Sequence, residues 1–306
     1  MRDAFFSEIK ELAARNNNLY FLTGDLGFGC SREFSEAFPD RFINVGVAEQ
    51  LMTSMAAGMA LEGNIVFTYS IANFPTIKCV EQIRNDICYH NANVKIVAVG
   101  GGTCYGSLGM SHFATEDIAI MRAIPNLIVL APGDPQEARL AIRAAVEHDG
   151  PVYLRLGRAG EPIVHKDSID FAIGKGILLR SGADVCLAST GGMLKTALDA
   201  ADILESIGIS ARVLSIPSIK PMDSDFISAN FIDTPLMVTI EEHSIVGGFG
   251  SAVLESLSLS STLNRGKLIR FGFPDSFPEI VGSQEYILKY TGLDARSVAD
   301  RVKDLL

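Results

Sequence analysis

The sequence of 306 residues lacks several features that would each point to a particular class of protein. Its five cysteines form no C-x-x-C pair and are odd in number, so neither a disulfide framework nor a zinc site is expected. No apolar run approaches the ~18 residues that a membrane span needs. Basic residues form no stripe, and the formal charge of -10 disfavours nucleic acid and anionic membrane as partners. We therefore expect a cytoplasmic protein in a reducing compartment.

Signatures of several enzyme classes are missing as well. We find no Walker motif, no nucleophile elbow and no Ser-His-Asp order. The glycines of residues 24–29 (GDLGFG) do not have the G-x-G-x-x-G spacing, so a dinucleotide-binding fingerprint is not supported. No second histidine lies near His112 at ligand spacing, so no metal ligands are predicted in this chain.

The residues that are present predict an α/β fold. Apolar residues make up 48% of the chain, which is enough for a sizeable core. Short β-branched runs alternate with helical periods, and runs that are apolar on both faces suit a parallel sheet covered by helices. Strands are predicted at residues 19–22, 94–99, 127–130, 152–156, 185–188, 212–216, 236–240 and 268–271, and helices at residues 1–15, 135–146, 193–207 and 249–257.

Two of these helices have informative sequences. The N-terminal helix is predicted to be amphipathic rather than a signal sequence, with Phe5 on its apolar face and Glu8 facing water. Asp134 is predicted to cap the helix that follows it, because Pro135 fits the first helical position and Glu137 can reach back to the cap.

The chain divides into two predicted domains. Its length suggests about two domains. Residues 157–168 carry glycine, proline and charges without a sustained period, which is typical of the start of a linker. We predict domains at residues 1–160 and 176–306, joined by a linker at residues 161–175. Each domain is expected to be a mostly parallel sheet covered by helices.

Glu49 is the first candidate for chemistry. Residues 44–50 (NVGVAEQ) place it before a run of small apolar residues, 51–60, which predicts a helix that another surface can approach closely. The dipole of that helix favours an anion in its first turn. A carboxylate held there among apolar side chains is a candidate for acid–base work. An ordinary N-terminal glutamate that stabilises its helix is the alternative.

A glycine-rich loop with a histidine is the second candidate. Five glycines between positions 100 and 109 are hard to explain by folding alone, because each costs backbone entropy. Ligands of open α/β sheets bind beyond the carboxyl ends of strands, where this loop is predicted to lie. His112 on such a loop can shuttle a proton or donate a hydrogen bond. The glycines that begin at Gly24 follow another strand, although a tight turn explains them equally well.

In this order, the motifs resemble the C-terminal half of transketolase, and the resemblance covers nearly the whole chain. Residues 1–160 would be its pyrimidine-binding domain and residues 176–306 its C-terminal domain, which deoxyxylulose-phosphate synthase shares. The matching segments are residues 24–26 (GDL), 46–50 (GVAEQ), 81–84 (EQIR), 111–117 (SHFATED), 241–244 (EEHS) and 247–250 (GGFG).

The resemblance implies thiamine diphosphate chemistry, in which the cofactor becomes a nucleophile and the protein supplies a proton relay, orientation and dry surroundings. By the match, Glu49 would hydrogen-bond the aminopyrimidine ring and drive its imino tautomer. Phe74, or less favourably Tyr69, would stack on this ring, with a core aromatic as the alternative for each. Asp25 and Leu26 would also contact the cofactor.

The resemblance also implies substrate contacts and marks departures. His112 would contact substrate hydroxyls or the developing alkoxide. Arg158 and Arg2 are candidates for a substrate phosphate, with surface arginines as the alternative. Many family members have Asp where this chain has Leu108, and sugar-phosphate transketolases have His where it has Gly100. These departures point to an unusual sugar, whose identity the motifs leave open.

A partner subunit is implied too. The family holds the diphosphate through Mg²⁺, using a Gly-Asp-Gly motif and a downstream Asn. Residues 148–150 (HDG) are the nearest look-alike and match neither part. We therefore expect an N-terminal transketolase subunit that carries this domain and holds Mg²⁺, an α₂β₂ assembly, and thiamine diphosphate bound at the interface. The helix that begins at Glu49 is a candidate contact.

The function that follows is transfer of a two-carbon ketol unit from a ketose to an aldose by the C-terminal subunit of a split transketolase. One alternative is a β subunit of a 2-oxo acid dehydrogenase or decarboxylase, or an enzyme like deoxyxylulose-phosphate synthase. Another is a non-catalytic interaction subunit that kept the fold. His243 is expected to serve an interface or the structure rather than chemistry.

Overall fold

A computed structural model describes residues 1–27, 29–259 and 266–306 of the chain. Strands of its N-terminal half are β1 (Leu19–Thr23), β2 (Phe42–Asn44), β3 (Ile65–Ile71), β4 (Val94–Val99), β5 (Ile128–Leu130) and β6 (Val152–Leu156). Strands of its C-terminal half are β7 (Ile177–Arg180), β8 (Val185–Ser189), β9 (Ala211–Ser215), β10 (Ser218–Lys220), β11 (Leu236–Ser244) and β12 (Lys267–Phe273).

Helices alternate with these strands. They are α1 (Arg2–Arg15), α2 (Arg32–Ala37), α3 (Glu49–Leu61), α4 (Val80–Gln82), α5 (Asp117–Ala123), α6 (Pro135–Glu147), α7 (Met193–Glu205), α8 (Ser224–Phe231), α9 (Phe249–Leu259), α10 (Gln284–Tyr290) and α11 (Ala295–Leu305). Helix α4 continues as a π-helical turn, Ile83–Cys88. Residues 157–176, all of them described, contain neither helix nor strand.

The strands form two sheets in the described part of the chain. The order of the first is β10-β5-β6-β4-β3-β1-β2, and the order of the second is β12-β11-β8-β9-β7. Pairing is parallel throughout except at two edges, where β10 runs antiparallel to β5 and β7 antiparallel to β9. The predicted fold class, two mostly parallel sheets covered by helices, is confirmed.

Every strand predicted from the sequence forms. Four further strands, β2, β3, β7 and β10, were not predicted. Strand β3 carries Ile, Val, Phe, Thr and Tyr, which are typical of strands, so its signal was present in the sequence. Strands β2 and β10 are three residues long, which is too short to show a period.

The expectation that Glu8 faces water is wrong. Glu8 is 1% exposed, because α6 packs on α1 and Arg143 Nε donates to Oε1 of Glu8 at 2.6 Å.

Hydrophobic packing joins the two sheets. Phenylalanines from α1 and β1 form a cluster on one face of the first sheet, together with apolar residues of α6. On the other face, side chains of α3, β3 and β4 belong to a cluster that also includes Cys186 of β8, Leu214 of β9 and Phe249 of α9. The first sheet, with the carboxyl ends of β1, β3, β4 and β6, therefore packs on a hydrophobic core to which both halves of the chain contribute.

Candidate active site

Glu49 is the first residue of α3 and its side chain is 4% exposed. Its Oε1 accepts a hydrogen bond from the Ser70 hydroxyl at 3.2 Å, and its Oε2 accepts one from Lys78 Nζ at 2.8 Å. A Cβ on Gly24 would lie 3.3 Å from Oε1, so the chain that leaves β1 packs tightly against the carboxylate. The first turn of α3 adds free backbone amides and a dipole that favour an anion.

Lys78 is the solvent-facing partner of this carboxylate. Its side chain is 44% exposed, whereas Glu49 is enclosed. The hydrogen bond to Glu49 raises the pKa of Lys78, so the ammonium and the carboxylate form an ion pair. Neither Ser70 nor Lys78 was a candidate from the sequence. Lys78 is 29 positions from Glu49, and no local pattern links residues so far apart.

The structure separates the two aromatic candidates. Tyr69 is 1% exposed within β3, and its ring stacks on that of Phe5 with centroids 5.6 Å apart. Burial raises the pKa of the Tyr69 phenol far above its usual value. Phe74 lies beyond the end of β3, partly exposed, with its ring 5.2 Å from that of His112 in an edge-to-face arrangement. This placement favours Phe74 as the ring available to a ligand and Tyr69 as a core aromatic.

Asp25 and Leu26 form the loop beside Glu49. Asp25 is exposed and has a φ of +55°, which turns the chain back above β1. Its amide donates to Asn44 Oδ1 at 2.9 Å, and Asn44 Nδ2 donates to its carboxylate at 3.1 Å. The carbonyl of Leu26 accepts a hydrogen bond from Thr23 at 2.9 Å. Phe28 of this loop lies outside the described residues.

His112 ends a short 3₁₀ turn in the glycine loop. Gly102 and Ala114 exchange two backbone hydrogen bonds, of 3.0 Å and 2.9 Å, which close the loop that carries it. Asn73 Nδ2 donates to the carbonyl of Ser111 at 2.7 Å, and the Ser111 hydroxyl lies 2.9 Å from His112 Nδ1. These contacts hold the imidazole over the segment that contains Phe74.

Arg2 and Arg158 lie together beyond the end of β6. The amide of Arg2 donates to the carbonyl of Arg158 at 2.8 Å. Arg158 is exposed.

The ring of Tyr105 fills the space that a side chain at position 100 would occupy, because a Cβ on Gly100 would lie 2.2 Å from this ring. Tyr105 was not a candidate from the sequence, although a glycine at position 100 is consistent with a side chain packed against the backbone there. Leu108, further along the loop, is 53% exposed.

The described residues suit an organic ring better than a metal. A buried carboxylate, a close-packed glycine and a partly exposed phenylalanine fit a planar ring with polar atoms at its edge. Among these described residues, no group of three or more His, Cys, Asp or Glu side chains is arranged to hold a metal ion. Nor does any helix within them have the length and apolar character to cross a membrane.

Family models identify both halves of the chain. The transketolase pyrimidine-binding domain matches residues 1–160, and the transketolase C-terminal domain matches residues 174–298. The chain belongs to the transketolase family. The resemblance that the motifs indicate is thereby confirmed. The family depends on thiamine diphosphate, and this chain is the C-terminal part of a transketolase-type transferase.

Relatives with transketolase names match along most of their length. A protein of Methanocaldococcus jannaschii described as a transketolase C-terminal section is 42% identical over 99% of this chain and 95% of its own. A subunit of the apulose-4-phosphate transketolase of Actinobacillus succinogenes is 36% identical over 87% of this chain and 85% of its own. The 1-deoxy-D-xylulose-5-phosphate synthase of Heliobacterium modesticaldum is 35% identical, but the match covers 46% of it.

Solved structures of transketolases also match this chain. A split gene transketolase, described as an inactive β4 tetramer, has a TM-score of 0.90 at 39% identity, over 99% of this chain and 97% of that one. A transketolase of Pichia stipitis has the same fold, with a TM-score of 0.82 at 23% identity, and this chain covers 45% of its length.

Proposed function

We propose that this chain is the C-terminal subunit of a split transketolase and moves a two-carbon ketol unit from a ketose to an aldose. The observation that carries the proposal is the enclosed carboxylate of Glu49, at the N-terminus of α3 in the region that matches the pyrimidine-binding domain. Relatives named as transketolase sections or subunits support a split enzyme. The proposal keeps domains at 1–160 and 176–306, a linker at 161–175, and a cytoplasmic location.

In this proposal, thiamine diphosphate supplies the nucleophilic carbon when it is bound. Glu49 would hold a nitrogen of the pyrimidine ring, and Ser70 keeps the carboxylate oriented by its contact to Oε1. Phe74, which is partly exposed, would stack on the same ring. Asp25 and Leu26 line the turn next to Glu49 and restrict the room for that ring.

His112 acts on the substrate. Because the hydroxyl of Ser111 engages Nδ1, the imidazole Nε2 is left to exchange a proton with a substrate hydroxyl or to stabilise a developing alkoxide. Arg158 and Arg2 suit an anionic group at the far end of a sugar. Two relatives are named for apulose 4-phosphate and 6-deoxy-6-sulfo-D-fructose, both sugars that end in an anionic group.

The diphosphate and Mg²⁺ are assigned to a separate N-terminal subunit in an α₂β₂ assembly, with thiamine diphosphate bound between the subunits. The apolar surface around α3 supports a contact there, because Val47, Leu51 and Leu61 are 76%, 59% and 58% exposed. Large exposed apolar patches on a protein surface mark interaction sites.

Reconstitution tests the reaction. The chain is combined with an N-terminal transketolase subunit, thiamine diphosphate and Mg²⁺, and is then given an aldose with either hydroxypyruvate or pyruvate. We expect carbon dioxide and a lengthened aldose from hydroxypyruvate. Product from pyruvate instead would favour the 2-oxo acid enzyme or an enzyme like deoxyxylulose-phosphate synthase.

Substitution of Glu49 tests the site. Glu49→Ala should lower turnover at least about 100-fold while the complex still assembles, because the acid–base contact to the cofactor is lost. The matched control is Glu62→Ala, which removes an exposed glutamate at the other end of α3. Unchanged turnover of the Glu49 variant would favour the non-catalytic interaction subunit.

A further inference from the structure

A buried carboxylate from the C-terminal half reaches the glycine loop. Glu242 of β11 is 5% exposed. Its Oε1 accepts hydrogen bonds from the amide and the hydroxyl of Thr103, at 2.8 Å and 2.5 Å. Its Oε2 accepts one from the Gln284 side-chain amide at 2.7 Å. Nothing in the reaction described above uses this glutamate, although it belongs to one of the segments that resemble transketolase.

The loop is shaped to admit this carboxylate. A Cβ on Gly102 would lie 2.4 Å from Cδ of Glu242, and the φ of Gly102 is +70°. Gly102 is also the residue that exchanges backbone hydrogen bonds with Ala114, two residues beyond His112. The carboxylate is therefore bonded directly next to the pair that closes the loop around the histidine.

Other contacts from the C-terminal half support the same loop. The amide of Ser244 donates to the carbonyl of Thr115 at 2.7 Å, and the amide of Gly282 donates to the carbonyl of Gly106 at 3.1 Å. These bonds join main chain to main chain, so they do not depend on side-chain identity. Glu242 adds a side chain with three hydrogen bonds to this set.

Glu242 is a buried carboxylate whose oxygens accept hydrogen bonds from Thr103 and Gln284. Burial raises the pKa of Glu242 by more than the hydrogen bonds from Thr103 and the charge of Arg155 lower it, so the pKa lies above its usual value. A buried carboxylate is costly unless it is hydrogen-bonded, and hydrogen bonds to a charged acceptor are stronger than neutral ones. The loop and the carboxylate therefore fix each other's positions.

We propose that Glu242 is a positioning residue for the transfer reaction: through Thr103 and Gly102 it holds the glycine loop in the conformation that presents His112 to the substrate. The transketolase C-terminal domain thereby takes part in catalysis from outside the cofactor site. The catalytic consequence rests on the proposed function. The order of the loop does not, and it can be measured on the chain alone.

Hydrogen exchange of the chain alone tests the loop. Glu242→Ala should speed exchange of the amides between residues 102 and 114 on the order of 10-fold, as expected for loss of a charge-assisted hydrogen bond. The matched control is Glu241→Ala. Glu241 is the neighbouring buried carboxylate on β11, but it accepts from the amides of Phe249 and Gly250 instead. Equal exchange in the loop of the Glu242 variant and the parent chain would overturn the proposal.

A conservative variant covers the case in which Glu242→Ala fails to fold. In Glu242→Gln the amide oxygen still accepts from Thr103, and the amide nitrogen can donate to Gln284 once that side chain turns its own amide. This variant should fold and restore most of the slow exchange. Thr103→Val, which removes one donor and keeps the carboxylate, should give an intermediate rate. Parent-like exchange in the Thr103 variant together with rapid exchange in Glu242→Gln would contradict the assigned contacts.

Turnover of the assembled complex tests the catalytic consequence. Glu242→Ala should lower kcat on the order of 10-fold, because small misplacements of catalytic groups are costly. The affinity for thiamine diphosphate should not change, since Glu49 and Phe74 lie outside the loop. A parent-like kcat despite rapid loop exchange would overturn the catalytic part. A parent complex without turnover would instead count against the proposed function, and the exchange results would still decide whether Glu242 orders the loop.

Discussion

Lys78 and Ser70 hold the carboxylate of Glu49 from opposite sides, one from solvent and one from the sheet. Lys78 Nζ occupies Oε2 of this carboxylate at 2.8 Å. A ring that binds Glu49 from the solvent side must therefore replace Lys78. The lysine can leave readily, because its side chain is long and 44% exposed.

Removal of Lys78 should therefore strengthen cofactor binding. We expect Lys78→Met to tighten the binding of thiamine diphosphate to the assembled complex about threefold, a small effect because solvent screens an exposed ammonium. Titration calorimetry measures it. Lys10→Met is the matched control: Lys10 is 42% exposed and lies 2.7 Å from Glu33, in a pair remote from α3. Weaker binding by the Lys78 variant would mean that the lysine assists the cofactor.

At the scale of elements, the start of α6 anchors the segment between the two sheets. Asp134 Oδ1 accepts from the amides of Gln136 and Glu137, at 2.9 Å and 2.8 Å. Its Oδ2 accepts from the amide of Val164 at 2.9 Å. His165 Nε2 lies 2.7 Å from Glu137 Oε1, with both side chains buried. One helix terminus thus binds a segment about thirty residues further along the chain.

This anchor should weaken as the pH rises. Burial lowers the pKa of His165, but the hydrogen bond and charge of Glu137, with the charge of Asp134, raise it by more. The folded chain therefore binds this proton more tightly than the unfolded chain. The resulting stability is fully present below the unfolded pKa of ~6.5 and is lost as the pH rises through the higher folded pKa.

Urea unfolding of the parent and of His165→Gln should then differ more near pH 6 than near pH 8.5. The backbone amides that donate to Asp134 keep this acceptor in the variant, so the comparison isolates the histidine side chain. A difference that stays constant across this range would contradict this prediction, because it would mean that folding leaves the pKa of His165 unchanged.

At the scale of the whole molecule, the two halves interlock. Strand β10, from the C-terminal half, pairs with β5 at the edge of the first sheet. A shared hydrophobic cluster continues the contact from β3 and β4 to β8 and β9. The buried pair of Arg155 and Asp117, with atoms 2.8 Å apart, adds a hydrogen bond from Arg155 to the carbonyl of Glu242. His243 is fully buried at the same junction, where its Nε2 accepts from the amide of Ala119 at 3.3 Å.

Truncation should reveal this dependence. Residues 1–160 alone should aggregate or form mixed oligomers in size-exclusion chromatography, because loss of the second half bares the β5 edge and an apolar face. A full chain cut once within residues 161–175 is the control, and its two fragments should elute together. A monomeric, folded fragment 1–160 would contradict the interlocked arrangement.

Local patterns account for what the sequence predicted. The strands at 94–99 and 152–156 have the predicted limits, because short, mostly apolar runs and flanking glycines act over a few residues. Asp134 caps α6 as expected from the residues next to it. Glu49 begins its helix, and His112 lies on the loop beyond β4, since both placements follow from where an element ends.

Distant partners account for what it did not predict. Glu137 was expected to reach back to the cap, but its Oε2 accepts from the amide of Gly133 at 2.6 Å, while its Oε1 binds His165. Thr103 and Glu242 are 139 positions apart, so no spacing rule links them. Glu8 is buried because α6 brings Arg143 to it. Such contacts arise when elements pack, and their information is spread over the whole chain.

The edge strand β10 also limits how a gene for such an enzyme can be divided. If the coding sequence were separated between the two sheets, one product would emerge with a bare strand edge and the other with an unpaired strand. A division upstream of both sheets avoids this cost. The relatives from Methanocaldococcus jannaschii and Actinobacillus succinogenes match 99% and 87% of this chain, so each match spans both halves of it. The pairing of β10 with β5, together with the hydrophobic cluster that both halves share, thus favours a gene that encodes the two sheets together.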